Sequence, residues 1–270
     1  MANLTPMMQQ YIELKEKYKD CILFFRLGDF YEMFFEDALT ASKELEITLT
    51  GRDCGQEERA PMCGVPYHSA DNYINRLIGK GYKVAICEQV EDPKIAKGIV
   101  KRDVVRIVTP GTNLNPQTLD ENKNNYLMSL YINNQNVGLA TVDVTTGDFY
   151  VTEINKSSNI LDEIAKFLPS EMICNKDLSE DLIQEIKERY ITTINQVEDW
   201  YYDKAICEQK LQEHFTVHTL DGLGLKEYEE GIIASGGLLQ YLYETQKNSL
   251  NHLTTIIPYT TDSFMMLDSS

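Results

Sequence analysis

The stretch CILFFRLGDFYEMFF, residues 21–35, decides how the first part of the chain folds. Its first seven residues, Cys21–Leu27, form a short apolar and aromatic run that is typical of a buried strand. Gly28 and Asp29 are a turn signal, and the aromatic run over 30–35 indicates a second strand. The stretch therefore predicts two strands joined by a tight turn.

Three helices and three more strands are predicted around this pair. Thr5 has the properties of a helix N-cap, Pro6 suits the first helical position, and apolar residues follow at helical spacing to about Tyr18. The other predictions are helices over 37–45 and 69–78, strands over 47–49, 84–90 and 104–108, and a loop over 51–66 that is rich in glycine, proline and charge.

A second domain is predicted after a polar linker. Three strand-like runs, 126–132, 137–144 and 149–154, are separated by asparagine-rich and Thr-Thr-Gly-Asp turns. Strands and helices then alternate, with helices over 158–167, 179–190, 203–214 and 228–245 and strands over 171–174 and 191–194. The order predicts a mixed α/β sheet that begins with an antiparallel meander. The predicted organisation is a domain over 1–113, a linker over 114–122, a domain over 123–251, and the beginning of a further domain over 252–270.

The composition is that of an ordinary soluble globular protein. Hydrophobic residues make up 43% and charged residues 25% of the 270 residues, and no run of about 18 apolar residues predicts a membrane span. The six cysteines are scattered, without a Cys-x-x-Cys pair, which fits neither a zinc framework nor a disulfide scaffold. Their pattern predicts reduced core thiols in the cytoplasm.

The net charge of −17 argues at first against a nucleic-acid ligand, because DNA-binding surfaces are usually basic. The charge is unevenly distributed, however. Residues 1–113 hold 15 Lys and Arg against 17 Asp and Glu, a net of −2, whereas the other 157 residues hold 10 against 25, a net of −15. The first domain could therefore meet a phosphate backbone, and the second is better suited to contacts with protein.

The segment GDFYEMF, residues 28–34, permits two interpretations on its own. Aromatic residues usually pack, so Phe30 could belong to the core while Glu32 lies on a solvated face. If the segment is extended, residues i and i+2 point to the same side, and Phe30 and Glu32 could act together on a ligand.

Five motifs in the first domain resemble the opening of the bacterial MutS family in content and in order. They are TPMMQQY (5–11), FRLGDFYE (25–32), PMCGVPYH (61–68), VAICEQ (84–89) and VRIVTPGT (105–112). The second half resembles the family more loosely, through LATVDVTTG (139–147) at the start of its connector domain and LDSS (267–270) where its core domain begins. The resemblance implies a mixed-sheet mismatch-binding domain followed by an RNase-H-like connector.

The family's Phe-x-Glu motif falls on Phe30 and Glu32. The resemblance implies that Phe30 enters the minor groove and stacks on a mispaired or unpaired base, while Glu32 forms a hydrogen bond to that base. A protonated Glu32 could donate to a base acceptor and an ionised one could only accept, and the sequence leaves both open.

Further contacts are expected with the DNA backbone, where they position the protein rather than specify a sequence. One expected group is Arg52, Arg59, Tyr67 and His68, and a second is Lys94, Lys97, Lys101 and Arg102.

The resemblance also implies partners and cofactors. Mismatched double-stranded DNA is the expected ligand, a MutL-type protein the expected partner of the connector, and a homodimer the expected assembly of the full-length protein. ATP and Mg are expected in the full-length protein alone, because this sequence has no Gly-x-x-x-x-Gly-Lys-[Ser/Thr] phosphate loop. The chain by itself is expected not to be an enzyme.

Two alternatives remain open at this point. One is a metal-dependent nuclease on the second domain, since nucleases of the RNase-H-like fold gather carboxylates around metal ions. Asp143 and Asp148 are the carboxylates to consider, although both suit a turn. The other is a MutS-like paralogue that binds branched DNA without reading mismatches, and such paralogues usually lack the Phe-x-Glu pair.

Overall fold

Each half of the chain builds its own six-stranded mixed sheet. The computed structural model describes residues 4–91, 98–114, 124–133, 135–156, 159–247 and 250–260. The chain divides into two units, Met1–Pro110 with Thr245–Lys247, and Gly111–Glu244 with Asn248–Ser270. The predicted α/β class is confirmed for both.

The first unit contains three helices and one sheet among its described residues. The helices are α1 (Pro6–Lys17), α2 (Phe35–Leu45) and α3 (Ala70–Ile78), and the strands are β1 (Cys21–Leu27), β2 (Phe30–Phe34), β3 (Thr50–Arg52), β4 (Ala60–Pro66), β5 (Lys83–Gln89) and β6 (Arg102–Val108). The strand order is β3-β4-β2-β1-β5-β6. Only the β1–β5 pair is parallel among the pairs of this sheet.

The two faces of this sheet are covered differently. Tyr31 and Met33 belong to the cluster that contains apolar residues of α2 and α3, whereas Phe34 belongs to the cluster that contains residues of α1. Side chains alternate along a strand, so Phe30 and Glu32 share the face of Phe34. The local sequence thereby directs these two residues away from the α2–α3 core.

The region around β3 and β4 differs from the prediction. The first of these strands lies at Thr50–Arg52 rather than over 47–49, and the second occupies Ala60–Pro66 where a loop was predicted. The two prolines and the glycine of APMCGVP favour a loop in isolation. Pairing with β2, from Phe30↔Pro66 to Phe34↔Met62, overrides this local preference.

The second unit contains four helices and one sheet among its described residues. The helices are α4 (Ile160–Phe167), α5 (Glu180–Arg189), α6 (Lys204–Phe215) and α7 (Glu229–Gln246), and the strands are β7 (Tyr126–Ile132), β8 (Asn136–Asp143), β9 (Phe149–Asn155), β10 (Glu171–Cys174), β11 (Thr193–Gln196) and β12 (Ile257–Pro258). Side-chain oxygens of Asn159, Ser179 and Asp203 cap the first three helices.

The order of the second sheet is β11-β10-β7-β8-β9-β12. The β7–β8 and β8–β9 pairs are antiparallel, and β10 is parallel to both β7 and β11. The predicted antiparallel meander is therefore confirmed, and the parallel strands that follow it agree with the RNase-H-like arrangement that the resemblance implied.

The structure differs from the predicted domain organisation at residues 257–259. Residues 252–270 were expected to begin a further domain, but Ile257 pairs with Tyr150 of β9 and the backbone N–H of Tyr259 donates to the carbonyl oxygen of Val151 over 2.9 Å. Residues 257–259 therefore add an edge to the second sheet. Most of the predicted linker, residues 115–122, and the LDSS motif lie outside the described residues.

Candidate nucleic-acid interface

The tip of the β1–β2 hairpin presents an aromatic ring to solvent. Leu27 pairs with Phe30 across a turn formed by Gly28 and Asp29. Gly28 has a φ of +58°, a conformation that glycine adopts more readily than other residues and that tight hairpin turns need. Phe30 is 46% exposed, so the interpretation that buries this ring in the core is wrong.

Glu32 lies two residues further along the same face of β2. It is opposite Phe25 on one side and Gly64 on the other. Its carboxylate accepts from, and forms an ion pair with, the Arg52 guanidinium. The Glu32 side chain is 15% exposed and the Arg52 side chain 38%, so a mostly covered carboxylate is held by a more accessible cation.

Gly64 leaves the space in which the Glu32 side chain lies. A Cβ atom at this position would be 3.3 Å from the carbonyl oxygen of Tyr31 and 3.4 Å from the Cγ atom of Glu32. The first distance is tighter than an ordinary van der Waals contact and the second is at its lower limit, so an alanine here would crowd the β2 backbone at Tyr31 and fill the space beside Glu32.

On the opposite face of the hairpin, the Arg26 side chain contacts the turn, Tyr67 and Glu88. Its Nε donates to the carbonyl oxygen of Gly28 over 2.6 Å, and its Cζ lies 3.6 Å from the centroid of the Tyr67 ring. Its Nη1 is 3.6 Å from Glu88 Oε1, and the same carboxylate accepts from the Tyr31 hydroxyl. Burial, together with this bond to Glu88, raises the pKa of Tyr31, so Tyr31 keeps its proton and donates.

Tyr67 and His68 lie next to the hairpin turn. The backbone N–H of Tyr67 donates to the carbonyl oxygen of Asp29 over 2.9 Å, which fastens the end of β4 to the hairpin turn. Tyr67 is 44% exposed, and the His68 ring packs edge-on against it with 5.9 Å between centroids. Together with Phe30 they place three exposed rings at one end of the sheet.

The residues that were expected to contact the DNA backbone differ in their exposure. Arg59, Tyr67, His68 and Lys101 are exposed, whereas Arg52 is half-buried against Glu32. Lys94 and Lys97 lie outside the described residues.

The expectation for Arg102 is wrong. The residue is 8% exposed, and its guanidinium donates to the carbonyl oxygens of Arg26 (2.7 Å) and Val100 (3.0 Å) and to Gln10 Oε1 (3.1 Å). It also lies 5.0 Å from the centroid of the Phe25 ring. Burial lowers the pKa of this guanidinium. Arg102 is therefore a packing residue that joins α1, β1 and β6.

Two residues of this region, Arg26 and Gly64, were not predicted from the sequence. Arg26 is the one charged residue within the apolar run of β1, which is a signal that its side chain has a specific partner. Gly64 gave no signal beyond membership of a loop-like segment.

In the second unit, the carboxylate considered for a metal site has a structural role. Asp143 is fully buried, and its carboxylate accepts from the backbone N–H groups of Thr145 (2.8 Å), Thr146 (3.3 Å) and Asn125 (3.0 Å). These bonds give it a turn-stabilising role. Within the described ranges, no group of three or more His, Cys, Asp or Glu side chains is arranged to hold a metal ion. The nuclease alternative is therefore not favoured.

The cysteines agree with the prediction of core thiols. All six cysteines are free and buried. None of the helices in the described part of the chain combines the length and apolar character that crossing a bilayer requires.

Comparison with known proteins identifies both units. The family model for MutS domain I matches residues 5–117, and that for MutS domain II matches residues 125–254. The DNA mismatch repair protein MutS of Lachnoclostridium phytofermentans is 65% identical over all of this chain, and those of Ruminiclostridium cellulolyticum and Acetivibrio thermocellus are 59% and 56% identical over 100% and 99% of it.

The chain spans only 29–31% of the length of these three relatives. The model of domain I matches the first part of the sequence and that of domain II matches the part that follows it. The chain therefore belongs to the MutS family of DNA mismatch repair proteins and carries its domains I and II.

Proposed function

We propose that this chain recognises mismatched double-stranded DNA by inserting the Phe30 ring at a mispaired or unpaired base. The observation that carries the proposal is the exposure of that ring, 46%, at the start of a strand that is paired on both sides. The ring projects from a hairpin tip whose backbone is fixed by neighbouring strands, as a wedge requires.

The energetics favour a mismatch as the target. An aromatic wedge in the minor groove unstacks a base step at a cost of roughly a few kcal/mol. A mismatched step has already lost part of its pairing and stacking, so it deforms more easily and the protein reads deformability rather than base identity. Stacking of a base on an aromatic ring is worth roughly 1–3 kcal/mol in single-strand binders. One phenyl ring can thus serve many mismatches.

Glu32 supplies the hydrogen bond to the displaced base in this proposal. It lies on the same face as Phe30, two residues along β2, so both side chains can address one base pair. Contacts to the phosphate backbone are proposed for Tyr67, His68 and Lys101, which are exposed at this end of the sheet. They are also proposed for Arg59, which is exposed at the other end of β4, and for Lys94 and Lys97 on sequence grounds.

The second unit is proposed to serve as a connector that contacts a MutL-type protein. Its net charge of −15 over residues 114–270 makes it a poor surface for DNA and suits a protein partner. Homodimer formation, ATP with Mg, and the ATPase activity are proposed for the full-length protein, which would act at the bacterial nucleoid, in the cytoplasm.

The decisive experiment replaces the wedge in a full-length background. A chimera in which this chain replaces the matching part of the L. phytofermentans MutS, 65% identical to it, allows the affinities for a mismatched and a matched duplex to be compared. Phe30→Ala is expected to abolish the preference for the mismatched duplex and to leave the affinity for matched DNA nearly unchanged. A preference that survives Phe30→Ala would refute the proposal.

A further inference from the structure

The ion pair between Glu32 and Arg52 connects the proposed base-reading carboxylate to the edge strand β3. We propose that Arg52 is a positioning residue for Glu32, so that it sets the preference for mismatched DNA instead of acting as an independent phosphate contact. This inference rests on the proposed function and specifies how the same site is tuned.

The packing restricts where the carboxylate can lie. Gly64 keeps the space beside the Glu32 side chain free, with a would-be Cβ at 3.4 Å from Glu32 Cγ. Phe25 lies opposite on β1. The Arg52 guanidinium then holds the end of the side chain. A planar guanidinium orients a carboxylate more strictly than an ammonium does, so Arg52 fixes the direction in which the Glu32 oxygens point.

Charge gives Arg52 a second effect on the same group. A bare carboxylate near DNA phosphates is repelled, whether the duplex is matched or mismatched. A neighbouring guanidinium offsets this repulsion. With Arg52 in place, the Glu32 carboxylate repels the phosphates of either duplex less strongly. A base edge reaches the oriented carboxylate only where the base step deforms.

The simple alternative makes a different prediction. An arginine that contacts only phosphate contributes equally to the binding of all sequences, and its removal weakens binding uniformly while reducing the salt dependence by about one counterion. A positioning residue instead changes the ratio of the two affinities, and its effect on that ratio requires Glu32.

A double-mutant cycle in the chimera separates these possibilities. The affinities for a mismatched and a matched duplex are measured at several salt concentrations for the parent, Arg52→Met, Glu32→Gln and the double variant. We expect Arg52→Met to reduce the mismatch preference about fivefold, in the range of couplings between neighbouring side chains. In the Glu32→Gln background the same substitution is expected to leave the preference unchanged, because the charge-assisted bond by which Arg52 orients residue 32 has already been lost.

Arg59→Met is the matched control from the neighbouring exposed position, and it is expected to weaken both duplexes equally. Gly64→Ala provides a second route, since the added methyl group crowds the β2 backbone and fills the space beside the Glu32 side chain while Arg52 is unchanged, and it is expected to lower the preference as well. Thermal unfolding of each variant identifies any that fail to fold.

The inference is overturned if Arg52→Met weakens both duplexes equally, or if its effect on the preference persists unchanged when residue 32 is glutamine. Neither result would touch the proposed function, which depends on the separate outcome of Phe30→Ala. Conversely, a preference that survives Phe30→Ala would remove the proposed function and this inference with it.

Discussion

The guanidinium of Arg26 stacks on the exposed ring of Tyr67, with 3.6 Å between Cζ and the ring centroid, while its Nε donates to the carbonyl oxygen of Gly28. One side chain therefore holds the hairpin turn and the end of β4 in a fixed relation. Phe30 begins its strand between these two points. The rigidity that a wedge needs thus comes from residues on the face of the sheet opposite to the wedge.

Arg26→Met should loosen this arrangement. The substitution removes a hydrogen bond and a cation–π contact, and we expect the free energy of unfolding to fall by about 1–2 kcal/mol. Denaturant unfolding of the chain measures this change. Arg76→Met, at an exposed position of α3, should shift the free energy by less than about 0.5 kcal/mol, and an equal loss in both variants would contradict the assignment.

Phe30 and Phe34 should separate binding from stability. Phe34 lies on the same face of β2 but is fully buried, so Phe34→Ala should cost about 3–5 kcal/mol of unfolding free energy. Phe30→Ala should cost under about 1 kcal/mol, because its ring remains largely exposed in the folded chain. Chemical denaturation of the two variants tests this contrast, and a Phe30→Ala loss as large as that of Phe34→Ala would place the ring in the core.

Glu153 should make the second unit sensitive to pH. Burial raises its pKa, and the neighbouring Glu230 carboxylate adds to this, although backbone N–H groups of Glu230 and Gly231 oppose it. A carboxyl whose pKa is higher in the folded than in the unfolded state binds more protons when folded. Its contribution to stability is therefore present at low pH and is lost as the pH rises above the unfolded value of 4.5.

Glu153→Gln should flatten that dependence. We expect the variant to be at least as stable as the parent at pH 7, and its melting temperature to rise relative to that of the parent between pH 4.5 and pH 7. Thermal unfolding across this range is the measurement, and the exposed Glu188→Gln serves as the control. A melting temperature of Glu153→Gln that falls relative to that of the parent as the pH rises from 4.5 to 7 would reverse the assigned sign.

Gly138 should be intolerant of any side chain. A Cβ atom there would lie 2.0 Å from the carbonyl oxygen of Glu230, so β8 and the beginning of α7 would have to separate. We expect Gly138→Ala to lower the free energy of unfolding by about 3 kcal/mol or more. Gly222→Ala is the matched control, since nothing lies within 4 Å of a Cβ at that position. Equal melting temperatures for the two variants would show that this contact is absent in solution.

Local sequence patterns correctly predicted several buried strands. Cys21–Leu27, Tyr126–Ile132 and Glu171–Cys174 are apolar runs with clear ends, and each became the strand that was expected. The strand at Ala60–Pro66 was missed because its stability comes from pairing with two other strands, which neighbouring residues in the sequence do not reveal. The strand at Ile257–Pro258 was missed for the same reason.

Local sequence likewise predicts one part of the candidate site and not the other. The identities of Phe30 and Glu32 follow from a motif, and alternation along an extended segment correctly places them on one face. The partnership of Glu32 with Arg52 joins residues 20 positions apart, and the burial of Arg102 depends on Gln10, 92 positions away. Such pairings depend on the tertiary fold, so charge alone wrongly assigned Arg102 to the surface.

The two-residue turn at Gly28 and Asp29 has one more consequence. Because neighbouring residues of β2 point to opposite sides, inserting a single residue into this turn would slide the strand by one position against its partners. Tyr31 and Met33 would then project outward, and Phe30 and Glu32 would be driven into the α2–α3 core. The length of the turn therefore selects a bare phenyl ring, instead of a phenol that could hydrogen-bond to individual bases, as the group offered to the ligand.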